Sequence, residues 1–176
     1  MPVPSTPATT LLTRENVTHR LHPYAVDVTT PNYGAVVARA LGVPAARVFK
    51  TLVAEVDGGL TVAVVPVTGE VDLKALATAA HGKRATLADR AVAERTTGYV
   101  RGGISPLGQR RSLPTVIDAS ATGFSTIYVS AGRRGLQVEL PPADLIRLTG
   151  AIVAPIVATH EARSHASRNS TGEEAS

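Results

Sequence analysis

The chain has 176 residues, which is enough for one domain with a sizeable core and short for two. Hydrophobic residues make up 44% of it but aromatic residues only 3%, so the core must be aliphatic and a site that relies on base stacking has few rings to use. The absence of cysteine excludes disulfides, thiolate catalysis and cysteine-ligated zinc, whereas the formal charge of +4 fits a nucleic-acid or phosphate partner without establishing one.

The first half of the chain has clear start and stop signals. Thr30 can cap a helix whose first position is Pro31, and Gly42 is a C-terminal stop, so a helix is predicted between them. Apolar runs over 48–56 and 60–67, separated by an Asp-Gly-Gly turn, predict a hairpin inside the sheet. Before these come a loose segment over 1–7, a short helix over about 11–17 and a weak strand over 19–28.

The second half alternates short strands and helices. Asp72 and Asp89 are predicted to cap two helices that stop at Gly82 and near Gly98. Further strands are predicted over 83–87, 115–119, 126–130, 136–140 and 151–157, with a helix over 142–150. The interleaving favours a single mixed α/β domain over 8–158, rather than a doubly wound parallel sheet, with a disordered polar tail over 159–176.

The segment 97–108 holds four of the 15 glycines and a proline. Glycine lets the backbone approach a ligand closely or adopt a positive φ, and proline fixes φ. The segment is therefore either a tight connection between strands or a shaped loop whose main-chain groups face a ligand.

Lys50 is the candidate cation of a site. On a strand it shares a face with the apolar residues Leu52 and Ala54, where a lysine is costly unless it is paired or partly solvated. Its ammonium either escapes to solvent at the strand end or lies at the mouth of a pocket, placed for a phosphate or carbonyl oxygen. Thr51 offers a hydroxyl to the opposite face.

Other kinds of site find little support in the sequence. None of the five histidines has a convincing metal-ligand spacing, and Ser105 does not lie in a Gly-x-Ser-x-Gly elbow. No apolar run is long enough to span a membrane and no signal peptide is recognised, which predicts a soluble, cytoplasmic protein without membrane partners. A pocket of backbone groups and one lysine is expected, with no metal and no cofactor.

Several motifs together resemble the YbaK/EbsC family of Cys-tRNA(Pro) deacylases, which are related to the editing domain of bacterial prolyl-tRNA synthetases. The motifs are VFKTL at 48–52, TGY at 97–99, GGISPLG at 102–108, LPTVID at 113–118 and TIYVSAGRRGL at 126–136. The likeness runs in order from about Leu11 to Pro155. It implies a single α/β domain built on a mixed, strongly curved sheet with flanking helices.

The resemblance also implies functional residues. The family's lysine matches Lys50, which would hold the 3′-terminal adenosine near the scissile ester, and the carbonyl of Gly102 would orient the ribose or substrate. The substrate-binding positions that it implies are Tyr24, Tyr33, Thr51, Gly103, Ile104, Ser105, Pro106, Ser130 and Gln137. At the last of these the family commonly has Asp, so the carboxylate charge is lost here.

The implied reaction is hydrolysis of a mischarged aminoacyl ester at the tRNA 3′ end, with the substrate's own thiol attacking its carbonyl in the cysteinyl case. Alanine-specific relatives carry a pocket histidine late in the domain, and this chain has none between His81 and His160, which favours the cysteinyl substrate. The alternatives are another mischarged tRNA such as Ala-tRNA(Pro), or a non-catalytic module that binds tRNA 3′ ends or a synthetase. Prolyl-tRNA synthetase is a possible partner, and the oligomeric state cannot be read from the sequence.

Overall fold

A computed structural model describes residues 5–25 and 33–158. Within these ranges the chain forms five α-helices and eight strands. In chain order they are α1 (Pro7–Arg14), β1 (Arg20–Pro23), α2 (Tyr33–Leu41), β2 (Phe49–Val56), β3 (Gly59–Pro66), α3 (Leu73–Ala79), β4 (Ala85–Leu87), α4 (Arg90–Thr97), β5 (Thr115–Asp118), β6 (Ile127–Arg133), β7 (Leu136–Leu140), α5 (Pro142–Thr149) and β8 (Ile152–Ala154).

The strands form two sheets. Five strands make a mixed sheet in the order β4-β2-β3-β5-β8, and three make an antiparallel sheet in the order β1-β7-β6. The prediction of a mixed α/β fold is confirmed. The resemblance implied one strongly curved sheet, whereas the structure has two separate sheets. A lone parallel bridge between Val48 and Tyr128 connects them at the start of β2, and the hydrogen-bonded ladder does not continue beyond it.

The predicted hairpin is confirmed and lies at the centre of the larger sheet. Asp57 and Gly58 form its two-residue turn with φ of 49° and 86°, the positive values that a type I′ turn requires. Gly59 is already the first residue of β3. Because β4 and β5 cover the outer edges of β2 and β3, both hairpin strands are interior, as their apolar sequences predict.

The two faces of the larger sheet pack against different layers. Val62 and Val64 of β3 point into the main core, which also contains residues of α1, β6 and β7. Ala63 and Val65 point into a second core that includes Leu76 of α3. This alternation buries both faces of the strand, so β2 and β3 are held in place from two sides.

The ends of the helices show which local signals were reliable. Asp72 accepts a hydrogen bond from the Ala75 amide at 3.1 Å, as predicted, but the side chain of Asp89 makes no capping bond to α4. The first helix starts at Pro7, earlier than predicted, because Thr6 caps it and donates to the Ala131 carbonyl at 2.5 Å.

Some predicted features lie outside the described residues. These are the proposed cap at Thr30, the proline at 31, the end of the strand over 19–28, and the tails over 1–4 and 159–176. The domain bounds of 8–158 stay a prediction. Three described strands are shorter than expected by two residues or more, since β1 is Arg20–Pro23, β4 is Ala85–Leu87 and β8 is Ile152–Ala154.

Candidate active site

A cavity of about 610 Å³ opens where the two sheets meet. Its walls combine the start of β2, the start of α2, the first turn of α4, the glycine-rich loop and two polar residues of β6 and β7. It has the size of a small-ligand site. The predicted residues that line it are Tyr33, Lys50, Thr51, Gly102, Ile104, Ser130 and Gln137.

Lys50 extends from β2, where it is paired with Val65 of β3. Its side chain is 29% exposed, and its Nζ lies 3.6 Å from the carboxylate of Glu70, which is itself 73% exposed. The lysine is therefore partly sheltered and paired with a solvated carboxylate. The sequence analysis did not identify Glu70. This residue follows β3 and a turn, and it approaches Lys50 only because β3 folds back along β2.

Two buried oxygen atoms in the cavity lining have no hydrogen-bond partner. They are Thr51 Oγ1 and Gln137 Oε1, and no other buried side-chain nitrogen or oxygen in the described part of the chain is without one. An unpaired buried polar atom destabilises a fold by about 1–3 kcal/mol. Because both residues line the same cavity, a ligand bound there is the candidate partner for these two atoms.

The amide nitrogen of Gln137 is held by a pair of tyrosines. Gln137 Nε2 donates to the Tyr24 hydroxyl at 3.4 Å, and that hydroxyl shares a 2.7 Å hydrogen bond with the hydroxyl of Tyr33. Burial, followed by the bond to Tyr33, raises the pKa of Tyr24 well above its ordinary value, so the phenol stays neutral. Tyr33 lines the cavity, whereas Tyr24 does not and acts on it through Tyr33 and Gln137.

Ser130 lies opposite Gln137 in the β6–β7 pairing and is 8% exposed. Its hydroxyl accepts a hydrogen bond from the Gly132 amide at 3.2 Å, next to an irregularity in the strand register between Ser130 and Arg133. The hydroxyl is thereby held at the cavity wall with its proton free to donate to a bound group.

Two adjacent glycines of the glycine-rich loop, next to the cavity, leave little room for a side chain. Gly102 lines the cavity with a φ of 87°, and a Cβ there would lie 2.9 Å from Nε of Arg134. At Gly103 a Cβ would lie 2.8 Å from the backbone of Arg133, so this glycine lets the loop pack against β6. The loop is therefore shaped by glycine, and its backbone at Gly102 forms part of the cavity wall.

Ser105 and Pro106 are not brought to this cavity. Ser105 is fully buried, and its hydroxyl accepts a hydrogen bond from the Leu107 amide at 3.2 Å within the loop. Pro106 lines a different, smaller cavity of about 300 Å³ together with residues of α1 and α5. Both support the shape of the loop, and we do not include them in the proposed site.

Four charged residues of the cavity wall were missed by sequence reasoning. They are Glu70, Arg90, Glu94 and Arg101. Each lies in a helix or a loop at a position where a charged residue is ordinary, so no local pattern distinguishes it. The described residues contain no cluster of three or more histidine, cysteine, aspartate or glutamate side chains that could hold a metal ion. They also include no helix that is long and apolar enough to cross a bilayer.

Comparison with known proteins places this chain in a family. Residues 30–148 match the aminoacyl-tRNA editing domain. Over 121 residues the chain is 44% identical to the putative Cys-tRNA(Pro)/Cys-tRNA(Cys) deacylase EbsC of Enterococcus faecalis, covering 68% of this chain and 74% of that protein. The chain belongs to the aminoacyl-tRNA editing domain family. The resemblance predicted from the motifs is confirmed, and so is the enzyme class, that of aminoacyl-tRNA deacylases.

Solved structures confirm the fold. The hypothetical protein APE2540 superposes with a TM-score of 0.77 at 25% identity, covering 87% of this chain and all of that one (100%). A putative trans-editing enzyme for prolyl-tRNA synthetase gives a TM-score of 0.77 at 22% identity, covering 89% of this chain and 100% of that chain. The editing-domain architecture therefore extends over nearly the whole described chain.

Proposed function

We propose that this editing domain deacylates mischarged Cys-tRNA(Pro) as a free-standing enzyme. The observation that carries the proposal is the composition of the cavity, where a lysine that shares its strand face with Leu52 and Ala54 is combined with two buried oxygens that lack partners. Support for the cysteinyl substrate comes from the name of the 44% identical relative.

The cavity offers positions for each part of an aminoacyl-adenosine end. Lys50 would hold the terminal adenosine and place its positive charge near the oxygen on which negative charge develops. The carbonyl of Gly102 would accept a hydrogen bond from the ribose. These two residues are the proposed catalytic pair, and neither is a nucleophile.

The two unpaired oxygens suit the substrate's α-ammonium group. An ammonium is a donor with three protons and no acceptor, and Gln137 Oε1 and Thr51 Oγ1 can each accept one of them. The tyrosine pair holds the amide nitrogen of Gln137, which leaves the amide oxygen for the substrate in this proposal. We therefore assign amino-acid recognition to this wall, with Tyr33, Ser130 and Ile104 completing it.

The reaction proceeds by substrate positioning. The cysteine sulfur of the substrate attacks its own carbonyl carbon, the ester C–O bond breaks, and the ribose oxygen leaves with the proton lost by the thiol. The products are a cyclic thiolactone and tRNA with a free 3′ end. Holding the thiol and the carbonyl in reacting geometry can lower the barrier by several kcal/mol, in the range of about 7–11 kcal/mol seen for well-oriented groups.

The partner that follows from this proposal is the 3′ end of an aminoacyl-tRNA. No feature of the described surface distinguishes one tRNA body from another. We therefore propose that prolyl-tRNA synthetase, in the cytoplasm, selects the tRNA on which this enzyme acts. A salt-dependent affinity for tRNA alone, without a synthetase, would be expected to be weak.

A panel of mischarged tRNAs tests the proposal. Purified protein is incubated with labelled Cys-tRNA(Pro), Ala-tRNA(Pro) and Pro-tRNA(Pro), with and without prolyl-tRNA synthetase. Faster ester loss from the cysteinyl substrate than from the other two supports the proposal. Preference for Ala-tRNA(Pro) would identify a different substrate, and tRNA binding with no ester loss would indicate a non-catalytic module.

A further inference from the structure

Arginines collect on one side of the cavity mouth, where α4 meets the glycine-rich loop. Arg90 and Arg101 line the cavity, and Arg134 extends over the loop beside them. We call these three residues the arginine rim. No role for them follows from the motifs or from the family match.

A carboxylate and the loop backbone organise the arginine rim. Glu94 Oε1 accepts a 2.6 Å hydrogen bond from Nε of Arg90, and Arg134 Nε donates to the Arg101 carbonyl at 2.7 Å. The pKa of Glu94 is lowered, chiefly by the bond from Arg90 and further by the Arg101 amide and the charge of Arg134. The carboxylate of Glu94 thus orients the guanidinium of Arg90, and the loop backbone orients that of Arg134.

The arginine rim keeps an excess of positive charge. The rim has three arginines and one neighbouring carboxylate, which pairs with Arg90, and neither Arg101 nor Arg134 makes an ion pair with any described residue. By contrast, Lys50 deeper in the cavity is paired with Glu70. An anionic ligand that reaches the mouth would therefore meet uncompensated charge at the rim first.

Exposed apolar side chains lie beside this charge. Leu87 lines the cavity and is 55% exposed, and Val100, next to Arg101 in the chain, is 51% exposed. A positively charged groove that follows the phosphates is a general feature of proteins that bind single-stranded nucleic acid, and these two side chains offer apolar surface to the bases beside it.

We propose that the arginine rim binds the phosphates of the single-stranded RNA that leads into the terminal nucleotide. This rests on the proposed function, since the terminal adenosine must occupy the cavity. The strand then enters over α4 and the glycine-rich loop. A guanidinium fork matches a phosphate in geometry and charge, which favours arginine at these positions over lysine.

The test is a binding experiment that needs no catalysis. The probe is a short single-stranded RNA ending in CCA, whose terminal adenosine carries cysteine through an amide in place of the ester. Its affinity is measured by fluorescence anisotropy over a range of salt for wild type, Arg101→Gln, Arg90→Gln and Arg134→Gln. Arg147→Gln on α5 is the matched control, because its side chain is 55% exposed, close to the 58% of Arg90, and it lines neither cavity.

Each rim substitution should weaken RNA binding about three- to tenfold and make the salt slope shallower by about 0.7 per lost phosphate contact. The same substitutions should weaken binding of cysteinylamido-adenosine, which has no phosphate, by a smaller factor. Arg147→Gln should behave as wild type. Unchanged RNA affinity and salt slope in all three rim variants would overturn the inference, and so would an equal loss in Arg147→Gln.

This experiment separates the inference from the proposed function. Rim-dependent binding of the amide probe, together with no loss of ester from Cys-tRNA(Pro), would uphold the RNA site and refute the deacylase. Ester loss at the wild-type rate in the three rim variants, with unchanged probe affinity, would uphold the deacylase and refute the RNA site.

Discussion

Thr51 Oγ1 and Gln137 Oε1 are buried in the wall of one cavity, and neither has a hydrogen-bond partner among the described residues. They come from different sheets, since Thr51 is on β2 and Gln137 on β7. Because both atoms are buried and unpaired, each destabilises the fold, and hydrogen bonds from a substrate ammonium would remove that penalty. A substitution that removes one of these atoms should therefore affect catalytic activity and the free energy of unfolding in different directions, and the two quantities can be measured independently.

Thr51→Val should lower activity without lowering stability. The free energy of unfolding should stay the same or rise by about 1 kcal/mol, because valine removes a buried hydroxyl that has no partner. Activity on Cys-tRNA(Pro) should fall about tenfold, as one hydrogen bond to the substrate is lost. Urea unfolding and initial deacylation rates measure the two quantities.

The matched control is Thr115→Val, which removes a hydroxyl that donates to the Leu113 carbonyl at 3.1 Å. It should lower the free energy of unfolding by about 1 kcal/mol, because a buried carbonyl loses its partner. If Thr51→Val were destabilised as much as this control, Thr51 Oγ1 would have a partner in the fold, and the assignment to the substrate would fail.

Lys50→Ala should abolish most turnover, by about 100-fold or more, because it removes the positive charge beside the developing oxyanion. Glu70→Gln should change the rate by less than about fivefold, since an exposed ion pair contributes only about 0–1 kcal/mol. Initial rates on Cys-tRNA(Pro) decide this, with circular dichroism to verify the fold and Lys74→Ala on α3 as the exposed control. Near-wild-type turnover by Lys50→Ala would remove the lysine from the mechanism.

Gly102→Ala tests the wall formed by the glycine-rich loop. Its φ of 87° is matched by Gly58 at 86° in the hairpin turn, where a Cβ would meet nothing within 4 Å. Both substitutions should cost about 1–2 kcal/mol of stability through backbone strain. Only Gly102→Ala should reduce deacylation, because its Cβ displaces Arg134 and alters the cavity wall. Equal activity losses in the two variants would contradict the role of Gly102.

The pH dependence of stability should report on Glu139. The pKa of this residue is lowered from 4.5, first by the hydrogen bond from Thr126 and then by His22, whose Nε2 lies 2.9 Å away. A lowered carboxylate pKa gives stability that is present above 4.5 and is lost as pH falls towards the lowered value.

Glu139→Gln should therefore lower the free energy of unfolding at pH 7 and flatten its decline below pH 4.5. Urea unfolding at a series of pH values measures this, with Glu55→Gln as the control because Glu55 is exposed on β2. An unchanged slope in Glu139→Gln would show that these contacts do not hold the carboxylate in solution.

Local signals predicted much of the fold because they act over a few residues. The turn at Asp57 and Gly58, the cap at Asp72 and the stop at Gly150 depend only on neighbouring backbone, and all three are present. The cap at Thr6 was missed although its signal is local, because Thr6 and Thr9 form a reciprocal capping box and Pro7 is the first helical residue. The division into two sheets, by contrast, is a long-range property that no local pattern records.

The same distinction applies to the site. Lys50 was found because a lysine on an apolar strand is locally improbable, and the remaining cavity residues came mainly from the resemblance. Glu70, Arg90 and Arg101 could not be found in this way, because charged loop and helix residues are ordinary until the fold brings them together. Ser105 shows the opposite case, since it lies in a family motif but its hydroxyl serves the loop.

The most direct measurement is the time course of ester loss from labelled Cys-tRNA(Pro), with the released amino-acid product identified. We predict loss much faster with enzyme than without it, release of a thiolactone, and resistance of a substrate whose thiol is methylated. Ester loss no faster than in the absence of enzyme, whether or not prolyl-tRNA synthetase is present, would contradict the proposal that this cavity deacylates Cys-tRNA(Pro).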